Sequence, residues 1–118
     1  MKILCVCFII LIIMSASLYT PKIYAFNLAE NICEYISVDD KGRLRKLLKS
    51  SRLKLRSVFK DVSCDNNNIL IFAAKNNANK IGELLIKKLP KGVIESELDN
   101  LSTLSAPLAE FAKARING

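Results

Sequence analysis

Cys64 to Leu89 reads CDNNNILIFAAKNNANKIGELLIKKL, and its reading decides the fold. Asp65, Asn66, Asn67 and Asn68 are four turn formers in a row, and their short polar side chains bond nearby backbone and tolerate left-handed conformations. Any of the three asparagines can cap a helix that starts at Ile69, because a side-chain oxygen accepts an otherwise unpaired N–H. Ile69 to Ala74 then runs without a polar residue. A strand fits six apolar residues as well as a buried helix does; Ala73, Ala74 and Lys75 favour the helix. Asn76 and Asn77 stop it, and Asn79 is positioned to cap a second helix. There Ile81, Leu84, Leu85 and Leu89 recur at helical spacing, with Lys80, Glu83, Lys87 and Lys88 elsewhere around the axis. Pro90 and Gly92 end it.

This helix–hinge–helix resembles the helical part of an ankyrin repeat. The resemblance rests on Leu70, Ala73 and Ala74 on an inner helix, Asn77 at the hinge, and Ile81, Leu84 and Leu85 on an outer helix. It departs where such repeats open with a Thr-Pro-Leu-His box, since Asn68-Ile69-Leu70-Ile71 stands there. The hinge glycine is replaced by Asn77.

The same design is legible upstream. Phe26 to Ile36 is a helix candidate with Leu28, Ile32 and Ile36 on one face. Asp39 or Asp40 can cap the next helix, which carries Leu44, Leu47 and Leu48. At an offset of 37, Asn31-Ile32-Cys33 aligns with Asn68-Ile69-Leu70, Tyr35 with Phe72, and the three leucines with Ile81, Leu84 and Leu85. Two degenerate helix pairs stacked side by side are expected. Between them, Leu55, Val58, Phe59 and Val62 follow helical spacing and predict a third helix near Lys54 to Lys60, with Leu53-Lys54-Leu55 open to an extended form.

A chain of 118 residues has room for one small domain. Lys2 followed by the apolar run Ile3 to Met14 has the length of a signal-peptide core and is short for a membrane span. Small residues and Ile23-Tyr24-Ala25 offer a cleavage site after Ala25, so residues 1–25 read as a signal peptide; the alternative is an uncleaved anchor. Of the four cysteines, Cys5 and Cys7 lie in this leader. Cys33 and Cys64 remain. In an oxidising compartment a lone pair is most simply a disulfide, closing a loop of about thirty residues worth roughly 3–4 kcal/mol. Free thiols, intermolecular bonding and a redox pair are the alternatives. No C-x-x-C spacing supports the last of these.

The span from Cys33 to Leu89 also resembles an uncharacterised family of small exported proteins of Gram-negative bacteria, known as a domain of unknown function. The resemblance rests on a leader followed by an Ile-Cys helix, on RLRKLLKSSRLKLRSVFKDVSC, and on NNNILIFAAKNNA. It implies an envelope location and no particular substrate.

Beyond Pro90 the composition turns polar and acidic. Leu98, Leu101, Leu104 and Leu108 recur at helical intervals, interrupted by Ser102, Thr103, Ser105 and Pro107. Residues 91–118 therefore read as a weakly ordered tail, or one short helix over Leu108 to Ile116 capped by Ser105 with Pro107 in its first turn.

The chain has no histidine, which excludes serine–histidine, cysteine–histidine and histidine-ligated metal sites within it. There is no glycine-rich phosphate loop. Neither an enzyme, nor a cofactor, nor a metal site is expected. The charge is +7 overall, and from Lys41 to Lys60 there are nine basic residues and no acidic one. Arg43, Arg45, Lys46, Lys49, Arg52, Lys54 and Arg56 are the candidate binding residues, with Lys60 beside them. Such a surface attracts anionic headgroups, an acidic protein or nucleic acid. The simpler reading is the solvated side of helices whose leucines face the core. No aromatic stacking platform interleaves the charges, so nucleic acid is not expected.

The expectation is an all-α protein of about four to six helices plus a signal helix. Residues 1–25 are its leader, 26–90 an ankyrin-like domain and 91–118 a tail. Its expected role is that of a periplasmic or secreted interaction module. The alternative is an envelope protein that binds anionic membrane through its basic segment.

Overall fold

Asp65 and Asn66 both adopt positive φ, 51° and 63°. Two such residues in succession make the reversed turn that suits a two-residue hairpin. They join β1 (Ser63–Cys64) to β2 (Asn67–Asn68), with Ser63 opposite Asn68 and Cys64 opposite Asn67. Asn68 closes the hairpin and opens a helix, its Oδ1 accepting the N–H of Ile71 at 2.9 Å. The apolar run that follows is helical.

This computed structural model describes the backbone of residues 20–118 and the side chains from residue 27 onward. Most of the expected leader, including its apolar run, lies outside the described residues. The chain divides into two units, Met1–Glu30 and Asn31–Gly118. The described part of the first is the opening turns of α1 (Thr20–Ser37), a helix that starts earlier than the expected Phe26. The second holds α2 (Lys41–Ser50), α3 (Leu55–Asp61), the hairpin, α4 (Ile69–Lys75), α5 (Asn79–Lys88), α6 (Lys91–Leu104) and α7 (Ala106–Asn117). The class is all-α, and the described residues form seven helices.

The middle of the second unit is α4. All six of its apolar residues, Ile69 to Ala74, are buried. It packs against α3, α5, α6 and the hairpin. Burial on every side explains why the run shows no amphipathic period. Ile32, Ile36, Leu44, Leu48, Val58, Ile81, Leu85, Ile86 and Leu89 are buried in the same core. Cys33 and Cys64 are joined by a disulfide, which ties α1 to the hairpin.

The expectation of a weakly ordered tail, or one short helix, is corrected. Residues 91–118 form two helices whose Ile94, Leu101, Leu108, Ala109 and Ala112 are buried, α7 packing on both α6 and α5. The domain therefore does not end at residue 90. The polar residues that interrupt the pattern are accommodated locally. Ser96, Ser102 and Thr103 donate to backbone carbonyls three or four residues earlier, at Val93, Leu98 and Asp99. Ser105 caps α7 by accepting the N–H of Leu108, as expected. Arg115 then reaches from α7 to the end of α5, donating to the carbonyls of Ile86 at 2.8 Å and Leu89 at 3.0 Å. A cation there satisfies orphan carbonyls and suits the negative end of the helix dipole.

The two helix pairs repeat, at an offset of 38 rather than 37. α1 ends with Asp39 N–H donating to Ile36 and Asp40 N–H to Tyr35. α4 ends with Asn77 N–H donating to Ala74 and Ala78 N–H to Ala73. Asp39 and Asn77 both have a φ of 55°. Each pair is thus hinged by the same left-handed closing motif, without glycine. The following helices are both ten residues long.

Candidate functional site

Arg52 is the third left-handed residue at a helix end, with a φ of 54°. Its N–H donates to Lys49 and that of Leu53 to Leu48, so the chain reverses abruptly after α2. Lys54 is extended and leads directly into α3. This reversal folds the basic segment back on itself. It sets Leu53, Lys54, Leu55 and Arg56 beside Arg45, Lys46, Leu48 and Lys49 of α2, and Leu84 and Lys88 of α5 close the side.

The result is an open groove of about 510 Å³. Leu48, Leu53, Leu55 and Leu84 give it an apolar lining; Leu48 is buried and the other three are half-buried. Arg45, Lys46, Lys49, Lys54, Arg56 and Lys88 are all exposed around it. Every polar side chain of the lining is therefore a cation. Lys and Arg donate hydrogen bonds and accept none. Among the described residues the ion pairs are Arg43 with Asp40 and Lys113 with Glu110, so none of these six cations is paired. Residues 1–26 contain no Asp or Glu that would add a counter-charge.

Five of the seven candidate binding residues, Arg45, Lys46, Lys49, Lys54 and Arg56, come together here. Two do not line the groove. Arg43 sits in the first turn of α2, where its Nε lies 3.3 Å from Asp40 Oδ2. Arg52 is consumed by the turn, its backbone conformation being its contribution. Lys60, at the end of α3, does not line it either. Lys88 was missed, because it lies 32 residues beyond Arg56 and nothing local marks it. Its place at the last turn of α5, four residues from Leu84, is the periodicity that could have pointed to it.

A second, polar cleft of about 430 Å³ lies between the hairpin and α6, lined by residues that include Asn66, Asn67, Asn68, Glu97 and Asn100. Glu97 there accepts from Asn68 at 3.1 Å and Asn100 at 3.3 Å. These contacts knit the hairpin to α6. Among the described residues no group of three or more acidic or cysteine side chains is placed to hold a metal ion, and no helix is long and apolar enough to cross a membrane.

Fold and groove together define a small all-α domain, stapled by the Cys33–Cys64 disulfide, with an apolar groove bordered by positive charge. The chain belongs to the family described as protein of unknown function (DUF3718), which matches residues 32–96. The matched span holds both bonded cysteines, both hinges and the whole groove, and ends inside α6. No curated protein and no solved structure matches the chain.

Proposed function

We propose that this protein is an exported, non-catalytic binding module that engages anionic membrane surface through the groove between α2, α3 and α5. One observation carries the reading. Six unpaired cations surround four leucine side chains on one open surface, so charge attraction and apolar contact act at the same place. Anionic bilayers offer both, since headgroups attract basic residues by about 1 kcal/mol each near the surface and the interface accepts apolar side chains. The leader pattern and the disulfide fit an oxidising, exported location. The test is co-sedimentation with phosphatidylglycerol vesicles and with phosphatidylcholine vesicles, at low and high salt. Binding is expected to the former and to fall as salt rises. The triple variant Arg45→Glu, Lys46→Glu, Lys49→Glu is expected to abolish it; undiminished binding by that variant would sink the proposal.

A second reading is an acidic segment of an envelope protein. It is favoured by the origin of the leucines on α2, the turn, α3 and α5, which is how helix-accepting grooves are built. A single protein retained from envelope extract at high salt, with no vesicle binding, would select it.

A further inference from the structure

We propose that the groove takes a single acyl chain whose anionic head rests on the surrounding cations, so that the module holds one amphiphile rather than only adhering to a surface. This deepens the membrane reading and rests on it.

The lining supports a chain of this chemistry for three reasons. First, its polar side chains are all donors. A carboxylate or phosphate is all acceptor, so the match is complete in one direction. An extended peptide brings backbone N–H groups, and no side chain of the lining accepts them. Second, the leucines are arranged around a concavity. Leu48 is buried, while Leu53, Leu55 and Leu84 are only partly covered by their neighbours. A flat bilayer surface would touch the exposed cations before reaching Leu48. A slender chain can lie along the leucines. Third, the volume of about 510 Å³ is within the range of sites that enclose small ligands, roughly 300–1,000 Å³. Two turns of a helix, about 11 Å across and 11 Å long, sweep on the order of 1,000 Å³, so a helix would rest on the groove rather than enter it.

The probe is a series of alkyl phosphates from butyl to dodecyl, each below its micelle-forming concentration, titrated calorimetrically into the purified protein. Each methylene buried adds a factor of about four to affinity. The expected result is one molecule bound per protein, with affinity rising by about that factor per methylene and then levelling off when the groove is full. Dodecanol, which has no charge, and butyl phosphate, which has almost no chain, are expected to bind at least about tenfold more weakly than dodecyl phosphate. Leu84→Asp and the pair Lys46→Glu, Lys49→Glu are each expected to weaken dodecyl phosphate by about tenfold or more, with thermal melting confirming that they fold. Should Leu84→Asp not fold, Leu55→Ser reads the same contact.

Affinity independent of chain length overturns the inference. So does binding of many molecules per protein that Leu84→Asp leaves unchanged. If that happens while phosphatidylglycerol vesicles still bind in a salt-sensitive way, the membrane reading stands and the single-chain inference alone fails. If neither alkyl phosphates nor vesicles bind, both fail. Displacement of dodecyl phosphate by an acidic amphipathic peptide, combined with chain-length independence, assigns the groove to protein instead.

Discussion

The carboxylate of Asp39 caps a helix that begins forty residues later. Its Oδ1 accepts the N–H of Ile81 at 2.9 Å and its Oδ2 that of Lys80 at 3.2 Å. These are the second and third turn-one donors that a cap residue of α5 itself would satisfy. The residue at that position is Ala78, which has no side chain to do so. Asp40, its neighbour, caps α2 by accepting the N–H of Arg43 at 3.1 Å. Two adjacent acids thus serve two different helices. The expectation that Asn79 caps α5 is corrected, since Asn79 is already inside the helix.

Removing this long-range cap is expected to destabilise the protein. Asp39→Ala loses both bonds while keeping a Cβ at the left-handed position. A loss of about 1–2 kcal/mol is expected from the cap alone. Asp39→Gly loses the same cap but relieves the backbone, so a smaller loss than that of Asp39→Ala, below about 1 kcal/mol, is expected. Asp39→Asn keeps one acceptor and should fall closest to the parent. Urea unfolding at constant slope measures all three. Equal stability of Asp39→Ala and the parent would show that the cap contributes nothing.

Gly82 and Leu108 form a second coupled pair. A Cβ on Gly82 would lie 2.6 Å from both Leu108 methyl groups. Leu108 is fully buried and has little freedom to withdraw. Gly82→Ala gains helix propensity of about 1 kcal/mol, yet overpacking of this kind costs about 1–3 kcal/mol. A net loss of up to about 2 kcal/mol is expected. In a Leu108→Ala background the same substitution should become neutral or stabilising. Thermal or urea unfolding of the double-mutant cycle detects the coupling.

Arg52 points the other way. It holds a left-handed conformation that suits glycine, and its N–H bond is backbone-mediated and survives any side chain. Relief of about 1–2 kcal/mol, set against a glycine entropy cost of about 0.5–1 kcal/mol, predicts that Arg52→Gly stabilises by about 0.5–1 kcal/mol. Because Arg52 does not line the groove, vesicle binding should change little. A large loss of binding would return it to the partner surface.

Reducing the Cys33–Cys64 bond releases a loop spanning a separation of 31 residues. The chain-entropy relation gives about 3–4 kcal/mol for it. Both the reduced protein and the Cys33→Ser, Cys64→Ser variant should melt well below the oxidised protein, and by similar amounts. A melting temperature insensitive to reduction would remove the staple from the account.

Residues next to each other in the chain settled much of this protein. An asparagine cap ahead of Ile69, the helix over Ile69–Lys75, the hinge at Asn77, the helix around Val58 and the Ser105 cap were all legible, because capping and helical period are local properties; which of the three asparagines caps, Asn68, was not. The all-α class followed from them. The clustering of Arg45, Lys46, Lys49, Lys54 and Arg56 was legible for the same reason, since they are near one another on the chain.

Only tertiary structure decided the rest. The apolar pattern of residues 91–118 is broken by hydroxyl residues, which are tolerated because they bond to their own helix while Leu101 and Leu108 find partners on other elements. The true repeat offset of 38 was hidden because Gly82 stands where α2 has Leu44. The space its side chain would fill is taken by Leu108 from a helix the pattern did not announce, so the apolar residue nearest that position is Ile81, one place earlier. Lys88 joins the groove, and Arg43 and Arg52 leave it, through a chain reversal and a helix packing that bring distant residues together. Asp39 shows the limit most directly. Its cap is chemically ordinary, but its helix is forty residues away, and no property of the residues around it says which helix it will meet.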